Sequence, residues 1–289
     1  DRAGAEAAYA RAARNQTAYY GMLASEKIGL PLDPALVNVG EPTPGWRTAG
    51  FAGSSVLAAG MALAEAGDRT LAKRFFLQVA EGLDATGLQQ LADLALRMNE
   101  PHIALLVAKQ AAERGVILPR AYYPVPEMVP DGLAVSRALA LSISRRESEF
   151  DPAAQSKAGA RGLMQVMPAT AEHVAKRLGE TSSAGRLISD PAFNVRMGSI
   201  YLSHMIEKFG PSIALIASGY NAGPGRPGKW ITQFGDPRKD SVDVVDWVEM
   251  IPFAETRTYV MRVAEGVVIY RAKLKGVAGP VRITQELKG

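Results

Sequence analysis

The chain has 289 residues, of which 47% are hydrophobic and 21% charged, proportions typical of a folded globular protein rather than a disordered one. It has no cysteine, which excludes disulfides, thiolate metal sites and a cysteine nucleophile. Its three histidines are far apart in the sequence, so no histidine-rich metal centre is expected. The net charge of +4 is small and dispersed and does not indicate a nucleic-acid partner.

The ends of the chain and its hydropathy carry little information about its location. No apolar stretch is long enough for a transmembrane helix. The sequence begins at Asp1, without Met and without a signal-like apolar segment, so we expect a processed or partial chain.

The first 118 residues predict an α-helical repeat, or solenoid, segment. Apolar residues and helix formers recur at helical spacing, and breaks follow at Gly67-Asp68 and at Asn99-Glu100-Pro101. Superposing Gly67 on Asn99 requires a shift of 32 residues, which is close to the period of helix-turn-helix repeats. The predicted helices of this segment are 7–27, 55–66, 71–79, 88–98 and 103–114.

A second domain is predicted from residue 131 to residue 278, followed by a tail at 279–289. Prolines at 119, 124, 126 and 130 mark a linker at 119–130 that we expect to be neither regular helix nor central strand. Because no later segment alternates with period two, the fold class is predicted to be all-α or nearly so. Helices are predicted at 132–149, 168–178, 191–209, 211–219 and 256–275.

Glu147 is the first candidate for a catalytic residue. At about 100° per residue it shares the apolar face of its helix with Ala140 and Ile143. Glu149 falls on the opposite side, next to Arg145 at i−4, where we expect a surface ion pair. An acid on an apolar face is either a buried, paired structural carboxylate or a proton donor whose pKa is raised.

Two later segments could contribute to a site. Residues 156–168 predict an irregular loop in which Gly159 and Gly162 permit close backbone approach, although core filling is the ordinary role of its methionines. Residues 220–225 predict a second loop, which is either a bare turn or a carbohydrate platform made of an aromatic ring and an amide. Glu255 is expected in the first turn of the last long helix, where helix electrostatics favour an acid.

The order of these motifs resembles the soluble lytic murein transglycosylases. The resemblance covers residues 131–278, about half of the chain, through Glu147-Ser148 with Ser156, Gly162-Leu163-Met164-Gln165 with Met167-Pro168, Tyr220-Asn221-Ala222-Gly223-Pro224-Gly225, and Ile251-Pro252-Phe253 with Glu255-Thr256-Arg257 and Tyr259. Tyr122-Tyr123-Pro124 and the helical first part are also similar to that family. The resemblance implies a lysozyme-like α domain preceded by the last part of an α-superhelical region.

The resemblance also implies a chemistry. Glu147 would be the single acid and base that cleaves the β-1,4 bond between N-acetylmuramic acid and N-acetylglucosamine in peptidoglycan, leaving a 1,6-anhydromuramoyl end. In the implied site, Ser156 and Gln165 hydrogen-bond the sugar, and Met164 and Met167 shape the cleft. Tyr220 orients the catalytic carboxyl, and Asn221 and Ala222 bind the acetamido sugar. Glu255 and Tyr259 line the cleft towards the stem peptide. Arg146 stands where the family often has an uncharged polar residue, and we expect it to point away from the site.

No metal or organic cofactor is implied. The implied partners are peptidoglycan glycan strands and stem peptides, with the helical segment as a docking surface for other cell-wall enzymes, and the implied location is the periplasm. Two alternatives stay open: a goose-type lysozyme-like muramidase that hydrolyses the same bond with water, and a non-catalytic peptidoglycan-binding scaffold. The products distinguish all three, since they carry an anhydro end, a reducing end, or are not formed.

Overall fold

The computed structural model describes residues 2–37 and 45–289, so residues 1 and 38–44 of the predicted repeat segment lie outside it. Regular structure in the described ranges is helical, with only isolated β-bridges besides, and this confirms the all-α prediction. The described residues form two compact units. Unit 1 comprises the described residues up to Val37 together with Glu127–Ser148 and Pro152–Gly289, and unit 2 comprises those between Val37 and Glu127 together with Glu149–Asp151.

The first residues form separate helices rather than the continuous segment predicted at 7–27. They are α1 (Arg2–Ala12), α2 (Tyr19–Lys27) and the short α3 (Pro34–Val37). The backbone N–H of Tyr19 donates to the buried carboxylate of Glu265 at 2.6 Å, which satisfies a donor that a helix start leaves unpaired. These residues belong to unit 1, whereas the domain limits drawn from the sequence at 118, 130 and 278 stay a prediction.

Unit 2 contains the predicted repeat. Its helices are α4 (Ser55–Glu65), α5 (Arg69–Glu81), α6 (Ala85–Arg97), α7 (Pro101–Glu113) and α8 (Pro119–Tyr122), after a 3-10 turn at Trp46–Thr48. Two helical hairpins, α4 with α5 and α6 with α7, are related by the predicted shift: Gly67 and Asn99 end the first helix of each with positive φ, and Ala72 and Ala104 are fully buried. The expectation that 119–130 contains no helix was wrong for α8, because proline is tolerated in a first helical turn.

The remaining helices belong to unit 1. They are α9 (Arg137–Ser148), α10 (Pro168–Arg177), α11 (Arg186–Ser189), α12 (Pro191–Phe209), α13 (Ile213–Ala222), α14 (Arg226–Phe234), α15 (Val244–Glu249), α16 (Ala254–Lys275) and α17 (Ile283–Lys288). The five helices predicted from the sequence are all present, whereas α11, α14, α15 and α17 were not predicted. None of the described helices is both long and apolar enough to cross a bilayer.

Several of these helix ends differ from the prediction, and the largest difference is the start of α9, which lies at Arg137 rather than at residue 132. Helix α9 stops at Ser148 rather than at residue 149, because Glu149 and Phe150 both have positive φ (54° and 64°). Helix α13 continues to Ala222, so Tyr220, Asn221 and Ala222 form its last turn rather than a loop. Gly223 follows with a φ of 89°, a conformation that glycine adopts without steric cost.

Helix α16 is the centre of unit 1, where it packs against α9 on one side and α13 on another. Its contact with α9 is close because Gly266 faces Ser142, whose hydroxyl donates to the carbonyl of Val263 at 2.8 Å. Val260, Val263 and Val267 of α16 are almost completely buried. The two helices are therefore held at a separation that admits no side chain at residue 266.

We expect Gly266→Ala to destabilise unit 1 by about 2 kcal/mol, since overpacking a core contact typically costs 1–3 kcal/mol. A Cβ at residue 266 would collide with the Ser142 hydroxyl and lie 3.0 Å from Ser142 Cβ, so rotating the serine does not relieve the clash. Calorimetry should show Tm lowered by roughly 5 °C. Gly228→Ala in α14 is the matched control, because nothing lies within 4 Å of its added Cβ. Equal melting of the two variants would contradict the packing argument.

Candidate active site

The side chain of Glu147 lies in the last turn of α9, on the same face as the buried Ala140 and Ile143. Its Oε1 accepts a hydrogen bond of 2.7 Å from the hydroxyl of Tyr259 in the first half of α16. Tyr259 itself is only 2% exposed. The α9–α16 contact thus places a half-buried carboxyl against a buried phenol.

Burial raises the pKa of Glu147 from 4.5 to about 7. The Tyr259 hydrogen bond and the positive charge of Arg146 lower that pKa, and the negative charge of Glu255 raises it, but desolvation has the largest effect. A carboxyl with a pKa near neutrality is present in both its acid and its base form at physiological pH. This is the property that general acid–base catalysis requires.

Tyr220 was expected to orient the carboxyl of Glu147, but the hydroxyl that bonds to this carboxyl is that of Tyr259. Tyr220 donates to the backbone carbonyl of Met164 at 2.7 Å, and its ring lies 5.6 Å from that of Tyr201 in α12. Tyr220 nevertheless lies near the carboxyl, since burial and then the charge of Glu147 raise the pKa of this half-buried phenol. The two tyrosines therefore have different contacts: Tyr259 bonds to the candidate acid and Tyr220 to the loop beside it.

Arg146 does not point away from the site. Its guanidinium carbon lies 5.7 Å from the centre of the Tyr259 ring, and its charge acts on Glu147. The angle around the helix axis suggested otherwise because it describes Cβ directions, whereas an arginine side chain is long enough to reach over a neighbouring ring.

The pair Asn221 and Glu255 forms a second polar group of the site. The amide nitrogen of Asn221 donates to Glu255 Oε1 at 3.3 Å, and its oxygen accepts a 2.6 Å hydrogen bond from the hydroxyl of Thr256. Glu255 lies in the first turn of α16 and is exposed, and Ala222 is half-buried at the end of α13. The ends of α13 and α16 are thereby linked by side-chain hydrogen bonds.

The loop at residues 154–167 has a specific backbone that its own side chains stabilise. Ser156 accepts the backbone N–H of Ala160 at 3.0 Å, and the amide nitrogen of Gln165 donates to the carbonyls of Ala154 and Gly162, both at 3.0 Å. Gln165 also has a φ of 47°, which is uncommon for a residue other than glycine. These two residues, predicted to bind the sugar, are thus bonded within their own loop in this structure.

The two methionines of the loop have opposite environments. Met164 is fully buried and packs against Gly198 of α12, so its side chain cannot line a cleft and fills the core instead. Met167 is 41% exposed at the start of α10 and remains available for contact with a ligand. Of the two, only Met167 fits the predicted role.

Asn194 is a residue that sequence reasoning missed. It is fully buried in α12, its amide nitrogen donates to the carbonyls of Arg161 (2.7 Å) and Leu187 (3.0 Å), and its oxygen accepts the N–H of Met164 at 2.9 Å. Gly162, with a φ of 73°, leaves the space that this amide occupies. An asparagine inside a predicted helix gives no sign of such a role, because its partners are distant in the sequence.

The ion pair expected between Glu149 and Arg145 is not the one formed. Glu149 lies beyond the end of α9 and pairs with Lys109 within unit 2, where its backbone carbonyl also contacts Nδ1 of His102 at 3.0 Å. The i−4 pairing assumed that the helix continues through Glu149. The positive φ of Glu149 ends the helix before this residue, so the two side chains do not have helical i−4 spacing.

No group of three or more His, Asp or Glu residues in the described ranges is arranged to hold a metal ion. The convergent polar groups of the site are instead one carboxyl of raised pKa, two tyrosines, an amide and a second acid. That set can exchange a proton and can hydrogen-bond a polar ligand such as a sugar.

Comparison with known proteins identifies the part of the chain that contains this site. Residues 131–242 match the family model described as the Transglycosylase SLT domain. The chain carries a transglycosylase SLT domain. The matched range includes the candidate acid, the loop at 154–167 and helix α13, and the resemblance stated from the sequence motifs is confirmed.

The proteins to which this chain is similar are longer than the chain itself. Over 155 residues the chain is 37% identical to the Soluble lytic murein transglycosylase of Escherichia coli, an alignment that covers 53% of this chain and 23% of that protein. Over 204 residues it is 33% identical to the Putative soluble lytic murein transglycosylase of Haemophilus influenzae, with 70% and 34% covered. The crystal structure of the 70 kDa soluble lytic transglycosylase from Escherichia coli matches with a TM-score of 0.79 at 26% identity, covering 96% of this chain and 44% of that one. The chain spans less than half the length of each.

The raised pKa of Glu147 makes the SLT domain less stable as the pH rises. The folded state binds the proton more tightly than the unfolded state, so stability falls between about pH 4.5 and pH 7, where unfolded Glu147 has lost its proton and folded Glu147 still holds it. Glu147→Gln, which stays neutral, should therefore be more stable than the parent by about 2 kcal/mol at about pH 8, and no different at about pH 4.

Thermal unfolding at the two pH values measures this difference. Glu172→Gln is the control, because Glu172 is exposed on α10 and should give no pH-dependent gain. A Glu147→Gln variant that melts with the parent at both pH values would show that Glu147 is not desolvated.

Proposed function

We propose that this chain is a lytic transglycosylase of peptidoglycan. The observation that carries the proposal is the carboxyl of Glu147, half-buried, bonded to Tyr259 and raised in pKa to about 7, inside a domain that matches the SLT family. The proposed bond is the β-1,4 linkage from N-acetylmuramic acid to N-acetylglucosamine. The proposed location is the periplasm, and the proposed partners are glycan strands with their stem peptides.

In the first proposed step, neutral Glu147 gives its proton to the glycosidic oxygen. The bond between that oxygen and C1 of the muramoyl residue breaks, N-acetylglucosamine leaves with a new hydroxyl, and positive charge develops at C1. Glu147 is now a carboxylate that accepts the Tyr259 hydrogen bond. A hydrogen bond to the charged form stabilises it.

In the second step, the carboxylate of Glu147 takes the proton of the muramoyl C6 hydroxyl while O6 forms a bond to C1. The product is a 1,6-anhydromuramoyl end, Glu147 is protonated again, and no water is consumed. Glycosidases normally use two carboxylates, because one must activate water or act as the nucleophile. Here the nucleophile belongs to the substrate, so one carboxyl is sufficient.

The other predicted residues have proposed roles that follow their contacts. Met167 and Glu255 present exposed groups to the glycan, and Asn221 offers its amide to an acetamido group. Ser156 and Gln165 are proposed to act on substrate from the loop that they stabilise, and Tyr220 from the end of α13, where it bonds to that loop. The helical hairpins of unit 2 are proposed as a docking surface for other cell-wall enzymes.

Digestion of purified sacculi, followed by mass spectrometry of the soluble products, tests the function. We expect anhydromuropeptides from the parent and a loss of at least about 10³-fold in rate for Glu147→Gln, since general acid–base catalysis contributes typically 10²–10⁴-fold per role. Glu172→Gln should retain the parent rate.

Each other result has a definite meaning. Products heavier by one water would identify a muramidase of the goose lysozyme type and overturn the transglycosylase reaction. Sacculus binding without products from the parent would identify a binding module.

A further inference from the structure

Arg146 has an environment that the proposed reaction does not explain. It is half-buried next to the candidate acid, its guanidinium lies 5.7 Å from the centre of the Tyr259 ring, and its Nε is buried without a hydrogen-bond partner among the described residues. A buried donor left unpaired costs free energy, so another interaction must hold the side chain there. Attraction between the guanidinium and the ring supplies it.

We propose that Arg146 is a positioning residue that acts on Glu147 through Tyr259. The guanidinium holds the Tyr259 ring so that its hydroxyl remains on Glu147 Oε1, and its charge draws electron density from the phenol and strengthens the O–H as a donor. The inference deepens the proposed function and rests on it for the catalytic role of Glu147.

Glu147 is surrounded by titratable and charged groups from three helices, and Arg146 differs from the others in the sign of its charge. Tyr259 and Glu255 face it from α16 and Tyr220 from α13, while Arg146 is its neighbour on α9. Glu255 raises the pKa of Glu147, and the hydroxyl of Tyr220 is bonded to Met164 instead. Among the charges that act on Glu147 within the described residues, Arg146 is the positive one, and it lowers the pKa of both Glu147 and Tyr259.

This arrangement matters at the point where the first step ends. Glu147 has then lost its proton in a site that disfavours its charge, and the Tyr259 hydroxyl is the group that compensates. If Arg146 fixes that hydroxyl, the carboxylate is stabilised without placing a cation directly on it. A direct ion pair would hold Glu147 ionised and prevent the acid role.

Carbon-13 NMR titration of the Glu147 carboxyl, assigned by its absence in Glu147→Gln, tests the inference without depending on activity. Arg146→Gln should raise the midpoint by about one pH unit, since a weakened hydrogen bond from Tyr259 stabilises the Glu147 carboxylate less. Arg145→Gln is the matched control: it removes the same charge from the same turn, but Arg145 acts on Glu265. In Arg145→Gln, the midpoint of the Glu147 carboxyl should equal that in the parent.

A double variant separates action through Tyr259 from a direct charge effect. Tyr259→Phe removes the hydroxyl and should raise the midpoint, and adding Arg146→Gln to it should move the midpoint little further. If Arg146→Gln does not fold, Arg146→Lys, which keeps the charge but not the planar stacking group, should give a smaller rise in the same direction.

Three results would overturn the inference: an unchanged midpoint in Arg146→Gln, an equal rise in Arg145→Gln, or an undiminished effect of Arg146→Gln in the Tyr259→Phe background. In an active protein, the alkaline limb of kcat/KM should shift with the midpoint. A parent that releases no products from sacculi would defeat the proposed function, while the titration would still decide whether Arg146 acts through Tyr259.

Discussion

The close approach of α9 and α16 is the constraint on which the candidate site depends. Gly266 permits it, and the Ser142 hydroxyl bonded to the carbonyl of Val263 fixes it. Because the two helices touch, the carboxyl at the end of α9 is brought against the phenol of Tyr259 and away from water. The raised pKa of Glu147 is thus a consequence of helix packing, and the Tyr259 hydrogen bond moderates it. A wider separation would hydrate the carboxyl and return it towards an ordinary acid.

A second carboxyl, Glu265, shows that burial alone does not produce a proton donor. It is 3% exposed on α16, and burial raises its pKa as well, but it accepts hydrogen bonds from the Tyr19 backbone and from Arg262. Glu265 therefore holds the start of α2 against α16 and forms an ion pair with Arg262 of its own helix. Glu147 differs because the phenol of Tyr259 is its hydrogen-bond donor and it lies at a helix end beside exposed residues such as Glu255, where a ligand can reach it.

Helical periodicity was sufficient to predict the all-α fold, the paired hairpins around Gly67 and Asn99, and the apolar face that carries Glu147. It could not predict that Glu149 leaves the helix, that Arg146 folds over Tyr259, or that Tyr259 rather than Tyr220 contacts the acid. Those features depend on contacts between residues far apart in the chain, and on side-chain length rather than on Cβ direction. The same holds for Asn194, whose three partners lie 7 to 33 residues away. The family resemblance selected the candidate site residues, and their individual contacts came from the structure.

The polar residues around the loop at 154–167 act mainly on its backbone. The Ser148 hydroxyl donates to the carbonyl of Leu163 and that of Tyr220 to the carbonyl of Met164, each at 2.7 Å, while Asn194 accepts the Met164 N–H. Three helices, α9, α13 and α12, therefore bond to two consecutive residues of the loop. The adjacent Gln165 can then keep its positive φ, a conformation that persists only where the surroundings determine it. A loop fixed from three helices holds its exposed groups, Met167 among them, in defined positions, so a ligand binding there would meet a preorganised surface.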